Sequence, residues 1–271
     1  MTLNDRILPV TRWVSAVIVP FLVLAFLILY ITPEDSGKRF AWELRPNMQA
    51  MFIAAGYIGG AYFFVRVIFG KRWHRVALGF LPVTIFTVSM LGLTVIHWDA
   101  FDKGHFPFQL WLILYIVTPL LVPWLWLNNH SADSGEPDSD ELLMPMSVRW
   151  LMGGLGVMVM ITGVVGFIFP DVLIDLWVWA LRPLSARALA GWLALLGSAG
   201  IVSARESRWS GWRVGLESIF IWHMLILIAA ALNPDDFTDG LLNWYIVSVA
   251  LLEVGMIALY IWMEMRRRAL I

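Results

Sequence analysis

The sequence has no cysteine and only three lysines. Without cysteine there can be no disulfide, no thiolate-held iron–sulfur cluster and no covalently attached haem, although the redox compartment stays open. Lys38, Lys71 and Lys103 all fall outside the long apolar runs, which excludes a Schiff-base retinal site. Among five histidines no two lie within such runs at matching depth, as a bis-histidine haem would need. Charge is scarce as well, at 14% of residues with a net charge of −1. There is thus no basic field to attract nucleic acid. Gly-rich phosphate loops, HExxH and GxSxG are absent.

What fills the chain is apolar. Sixty per cent of the residues are hydrophobic, and the mean hydropathy is +0.76. These values lie outside the range of soluble domains and predict a polytopic helical membrane protein whose main partner is the lipid bilayer. Eight runs are long enough to cross a bilayer at about 1.5 Å per residue. They lie near Trp13–Ile31, Asn47–Phe69, Val76–Ile96, Phe106–Leu127, Val148–Phe169, Leu184–Ala204, Val214–Leu232 and Leu242–Met263. The first follows Arg6 and Arg12 as a signal peptide would, but it is long, has no small-residue cleavage site after it, and is expected to be retained. Many of the sixteen Trp sit near run ends, where an interfacial aromatic belt is expected.

One stretch occurs twice. Trp42-Glu43-Leu44-Arg45-Pro46 returns as Trp179-Ala180-Leu181-Arg182-Pro183, an offset of 137 residues (179 − 42). The same offset relates Arg12-Trp13 to Arg149-Trp150, Pro33-Glu34 to Pro170-Asp171, Gly60 to Gly197, and Asp99-x-x-Asp102 to Asp236-x-x-Asp239. The expected architecture is therefore all-α, eight spans as two parallel four-helix repeats, residues 1–127 and 147–271. Residues 128–146 form an acidic linker, expected to be mobile and without an apolar anchor. Thirteen of the nineteen Lys and Arg fall on the side of the termini, against Lys38, Arg39, Arg45, Lys103, Arg182 and Arg187 on the other. That asymmetry predicts a bacterial-type cytoplasmic membrane with both termini in the cytoplasm.

Three constellations could carry chemistry. In the repeated motif, Pro46 and Pro183 suit a helix start, and Trp42, Arg45, Trp179 and Arg182 suit the membrane interface. Alternatively, Arg45 and Arg182 bind an anion or pair with Asp99, Asp102, Asp236 or Asp239. The loop holding His97, Asp99, Asp102 and His105 has the ligand types of a transition-metal site, but its spacing equally fits a polar turn. Finally, Glu217, His223 and Glu253 lie within spans, where ionisable groups are costly and default to function. His223 and Glu253 fall at similar depth on adjacent helices, where the first copy has Phe86 and Ile116. These features support three functional classes. The first is a permease or transporter-like protein for a small molecule or ion, with a proton site at His223/Glu253. The second is a structural or accessory subunit packed against other membrane subunits. The third is a membrane-embedded enzyme using the His97/Asp99/Asp102/His105 loop with a metal.

Overall fold

The computed structural model describes residues 5–131, 133, 135–137 and 141–269. Ten α-helices are found among them. The eight long ones are α1 (Pro9–Ile31), α3 (Asn47–Phe69), α4 (His74–Ile96), α5 (Phe106–His130), α6 (Met146–Ile168), α8 (Pro183–Arg205), α9 (Trp209–Leu232) and α10 (Leu241–Arg268). The short α2 (Ser36–Arg39) and α7 (Pro170–Leu176) follow α1 and α6. All eight long helices are long and apolar enough to cross a membrane, the architecture of an integral membrane protein. Among the described residues there is no strand, only three isolated bridges.

The expected runs match these helices closely, and the differences have one cause. Hydropathy marks where a helix is apolar, whereas its end is set by where its backbone groups find other partners. Thus α9 begins at Trp209 rather than Val214, and α10 continues through Arg266–Arg268. Pro183 opens α8 and Pro9 opens α1, positions where the missing N–H has no partner to lose. Pro46 lies one residue earlier than expected, as the N-cap of α3.

Four helices, α3, α4, α8 and α9, make the centre, and each carries one outer helix. α1 packs on α3, α6 on α8, α5 on α4 and α10 on α9. The inner contacts cross between the halves of the chain: α3 lies against α9 and α4 against α8, while α3 barely meets its chain neighbour α4. α3 and α8 are accordingly the most buried of the eight.

Between lipid-facing helices there is no hydrophobic drive, so association rests on close packing and interhelical hydrogen bonds. Small residues supply the closeness. A side chain at Gly197 would start 2.4 Å from the backbone nitrogen of Met160, and one at Gly163 2.7 Å from that of Ala194, so α6 and α8 touch backbone to backbone. At the centre, a Cβ on Gly56 would meet the Trp192 indole at 2.6 Å. That ring is held by Phe86 (centroids 4.2 Å apart), Trp222 (5.0 Å) and Tyr57 (5.4 Å) and cannot yield.

The expected mobile linker is instead anchored. Leu142 and Met144 are buried with Trp209, Trp212, Leu216 and Met263. The Met144 N–H donates to Ser207 O (2.8 Å), and the Trp209 N–H to Leu142 O (2.9 Å). The acidic composition of 131–141 concealed two apolar residues immediately after it. Residues 132, 134 and 138–140 of that stretch lie outside the described residues.

Gly56→Ala should lower thermal stability in detergent by about 1–3 kcal/mol through overpacking against Trp192. Gly215→Ala, whose Cβ meets nothing within 4 Å, should be neutral or stabilising by up to about 1 kcal/mol from helix propensity. Equal effects at the two sites would refute the wedge.

Candidate functional site

The two Trp of the repeated motif are not interfacial. Trp179 is 1% exposed and Trp42 8%. Trp42 packs edge-on against Trp111 (4.8 Å) and Phe101 (5.9 Å), and Trp179 against Tyr245 (5.4 Å), Phe237 (5.5 Å) and Trp177 (5.3 Å). Trp179 Nε1 donates to the buried Gln49 Oε1 at 2.8 Å. Eight of the sixteen Trp are buried in this way, so the expected aromatic belt holds only part of them. Position at the end of an apolar run fixes depth in the membrane, but it does not fix which way a ring turns.

The arginines of the motif reach a different carboxylate from those expected. Arg45 Nε lies 3.2 Å from Glu43 Oε1, and Arg182 Nη1 3.5 Å from Glu43 Oε2. Glu43 exists in the first copy only; the second has Ala180. These pairs are half exposed, and such contacts contribute little stability. Asp236 has another task, accepting the Met48 N–H at 2.7 Å and so capping α3 from across the molecule. Asp239 is exposed in the turn before α10.

The four residues considered for a metal are dispersed. Among the described residues no group of three or more His, Asp or Glu could hold an ion. Arg187 Nη1 lies 2.8 Å from His97 Nε2, and a guanidinium can only donate, so that nitrogen accepts and is taken. Burial and the Arg187 charge both push the His97 pKa down. Asp99 is fully exposed with Lys103 at 3.5 Å, and Asp102 Oδ1 accepts the Gly104 N–H, as in an ordinary polar turn. His105 Nε2 is buried without a hydrogen-bond partner, but nothing converges on it.

The intramembrane residues, by contrast, come together. His223 on α9 and Glu253 on α10 face one another with Nδ1 and Oε2 3.3 Å apart, and Glu253 is 3% exposed. Their geometry makes no hydrogen bond, so His223 Nδ1 and both Glu253 oxygens are buried without partners. Glu217 has the opposite environment. It accepts from Tyr62 (2.6 Å) and Tyr260 (2.7 Å) and pairs with Arg66 near the end of α3. A carboxyl group with three donors is fastened in place, whereas one with none has only its neighbour.

His223 also lines a cavity of about 380 Å³ between α6, α8, α9 and α10, with Ile226, Tyr245 and Val249. A smaller cavity of about 160 Å³ adjoins it, and the two share Phe63, Gly79, Ala199, Gly215, Ile219 and Trp222. Hydroxyls in the walls of the smaller one are already used. Thr87 donates to Thr84 O, Thr118 to Leu114 O, Ser218 to Gly59 O, and Tyr57 and Tyr115 bond each other. Among the described residues, the buried polar atoms without partners on the larger wall are His223 Nδ1 and Trp177 Nε1. The space is apolar with two polar contacts on offer.

A second polar group escaped the sequence reading. His74 Nδ1 lies 2.5 Å from Asp5 Oδ2, and Nε2 lies 2.9 Å from Ser210 Oγ. Arg208, 5% exposed, grips both carboxylate oxygens of Asp133 at 2.7 and 2.8 Å and also binds Glu206. Burial raises the Asp133 pKa, but the bonds from Arg208 and the Gly135 N–H prevail and hold it below its ordinary value. Asp5 is likewise held low, with His74 overcoming burial. Partners up to 136 residues apart leave no local signature.

Glu253→Leu should destabilise the protein by about 1–3 kcal/mol by leaving His223 buried opposite an apolar group, while Glu253→Gln should cost far less. Thermal unfolding of both variants checks this, and equal losses would mean that the carboxylate matters only as packed volume. No family model, no curated protein and no solved structure matches this chain.

Proposed function

We propose that this chain is a permease-like membrane carrier, built as two parallel repeats, which takes a small apolar or amphipathic molecule from the lipid into the space between them. One observation carries the reading: the larger cavity offers His223 Nδ1, with Glu253 3.3 Å from it, inside walls that are mainly apolar, with Arg75 and Ser203 among the lining residues. Such walls cannot replace the water around an ion, because a bare charge there would be too costly. They suit a molecule whose polar end reaches the His223/Glu253 pair, where buried polar atoms lack partners.

Several features support the repeats. Helices α1 and α6 start and end 137 residues apart, at Pro9–Ile31 and Met146–Ile168. The α3–α9 and α4–α8 contacts exchange as a two-fold relation about the membrane normal requires. A cleft of about 260 Å³ between α1 and α5 is lined by Leu22, Phe40 and Tyr115. Their partners at the same offset, Val159, Trp177 and Leu252, line the larger cavity. Each repeat would then have a side opening between its first and last helix. The Lys and Arg excess on the face of the termini supports a cytoplasmic location for that face.

Gly215 lines both cavities, and a side chain there meets open space. In nanodiscs, a brominated fatty acid should quench Trp emission saturably in the native chain. Gly215→Phe should weaken that binding by about tenfold or more, or about 1.4 kcal/mol. Glu253→Gln should retain binding and lose its pH dependence. Quenching that never saturates, and is unchanged in Gly215→Phe, would be simple lipid partition. It would leave the accessory-subunit reading in place of the carrier.

A further inference from the structure

The anchored linker packs behind the residues that line one end of the larger cavity. Leu142 and Met144 belong to the cluster that contains Trp212 and Leu216, with Leu78, Met152 and Met256 packed against it. Those last five residues also line the cavity at the face of the termini. Among the described residues, the backbone of 141–144 is tied there by the short pairing with 207–209, and its side chains supply the rest of the hold.

Chief among them is Glu141. Its Oε1 accepts the Ser210 N–H at 3.0 Å, and its Oε2 lies 2.8 Å from Ser210 Oγ. Ser210 Oγ in turn faces His74 Nε2, and His74 Nδ1 faces Asp5. With both carboxylates ionised, counting hydrogens decides the state of this chain. A serine hydroxyl has one hydrogen, and here two acceptors ask for it, Glu141 and an unprotonated Nε2. If His74 carries hydrogens on both nitrogens, every contact is satisfied: Nδ1–H to Asp5, Nε2–H to Ser210, and Ser210 O–H to Glu141. Remove one and a link fails. The same count speaks against Asp5, His74 and Ser210 as a nucleophilic triad, in which imidazole must accept the serine proton.

We propose that residues 141–144 are a lid over the terminal-face end of the cavity, latched by Asp5–His74–Ser210–Glu141 while His74 is doubly protonated. This rests on the carrier reading for its purpose, but not for its existence. Among the described residues, the charged groups that face His74 or its partners are Asp5 from the N-terminal segment, Glu141 and Asp133 from the linker, and Arg208 before α9, which is paired with Asp133. Asp5 and Asp133 sit below their ordinary 3.8 and so remain ionised when the pH rises. Loss of the His74 proton on going to higher pH therefore takes the cation out from between anions and opens the lid.

The absence of cysteine makes the test direct, because any introduced thiol is the sole one. Met144→Cys places it under the lid (Met144 is 3% exposed), and Leu143→Cys gives an outward reference (Leu143 is 51% exposed). The maleimide labelling rate of the Met144→Cys chain is divided by that of the Leu143→Cys chain at each pH from about 5 to about 9, the range in which histidine titrates. The division cancels the intrinsic rise in thiolate. The ratio should climb with pH in the native background. In Ser210→Ala it should be high and flat, about tenfold above the native low-pH value, as expected for loss of a charge-assisted hydrogen bond. In His74→Gln it should be flat. Leu142→Cys should repeat the pattern, guarding against a local effect of the new thiol. A native ratio independent of pH, or a Ser210→Ala ratio equal to the native one, overturns the latch. Labelling needs no ligand, so that failure would leave the cavity's own binding test untouched.

Discussion

The indole of Trp192 fills the notch left by Gly56, and the inner helices are spaced around it. It stands on α8, presses on α3 at Gly56 and Tyr57, and meets Phe86 of α4 and Trp222 of α9. In lipid, dispersion contacts of this kind replace the hydrophobic effect as the source of helix association. A rigid ring also fixes separations that smaller side chains would let collapse. The cavities beside it follow from that: Trp192 walls the smaller one, and Trp222 walls both.

Polarity in the membrane interior is concentrated at one interface. Glu217, His223, Glu253 and Tyr260 all lie on α9 and α10. The residues 137 positions earlier are Phe80, Phe86, Ile116 and Pro123. Two environments result from the same residue type. Glu217 is held by an arginine and two phenols near the helix ends, while Glu253 is walled by apolar groups with only His223 at hand. The first is a fastening and the second a buried polar group without a hydrogen-bond partner.

Helix number and helix positions were legible in the sequence because hydropathy and rise per residue fix both. That the His223 and Glu253 side chains face each other was not, because the rotation of α9 about its own axis depends on packing with α3 and α4. The repeated Trp-x-Leu-Arg-Pro was legible as special but misread as an interfacial anchor. Trp42 and Trp179 turn inward because neighbouring loops supply aromatic partners, Phe101 and Phe237, that no local pattern announces. The linker misled for a related reason: its acidic residues looked like a solvated tether, yet Asp133 and Glu141 are complements to Arg208 and to the start of α9. Charge composition describes a segment's average, whereas docking depends on single partners elsewhere in the chain.

The cap that Asp236 provides for α3 has a consequence for how the protein is made. Met48 lies in the second membrane helix to leave the ribosome, and its partner carboxylate arrives only with the loop between the last two. The inner surfaces of α3 and α4 likewise wait for α8 and α9. Until α8, α9 and the loop before α10 are made, α3 and α4 lack these partners. The packing of the early helices is therefore completed only by segments that come later in the chain.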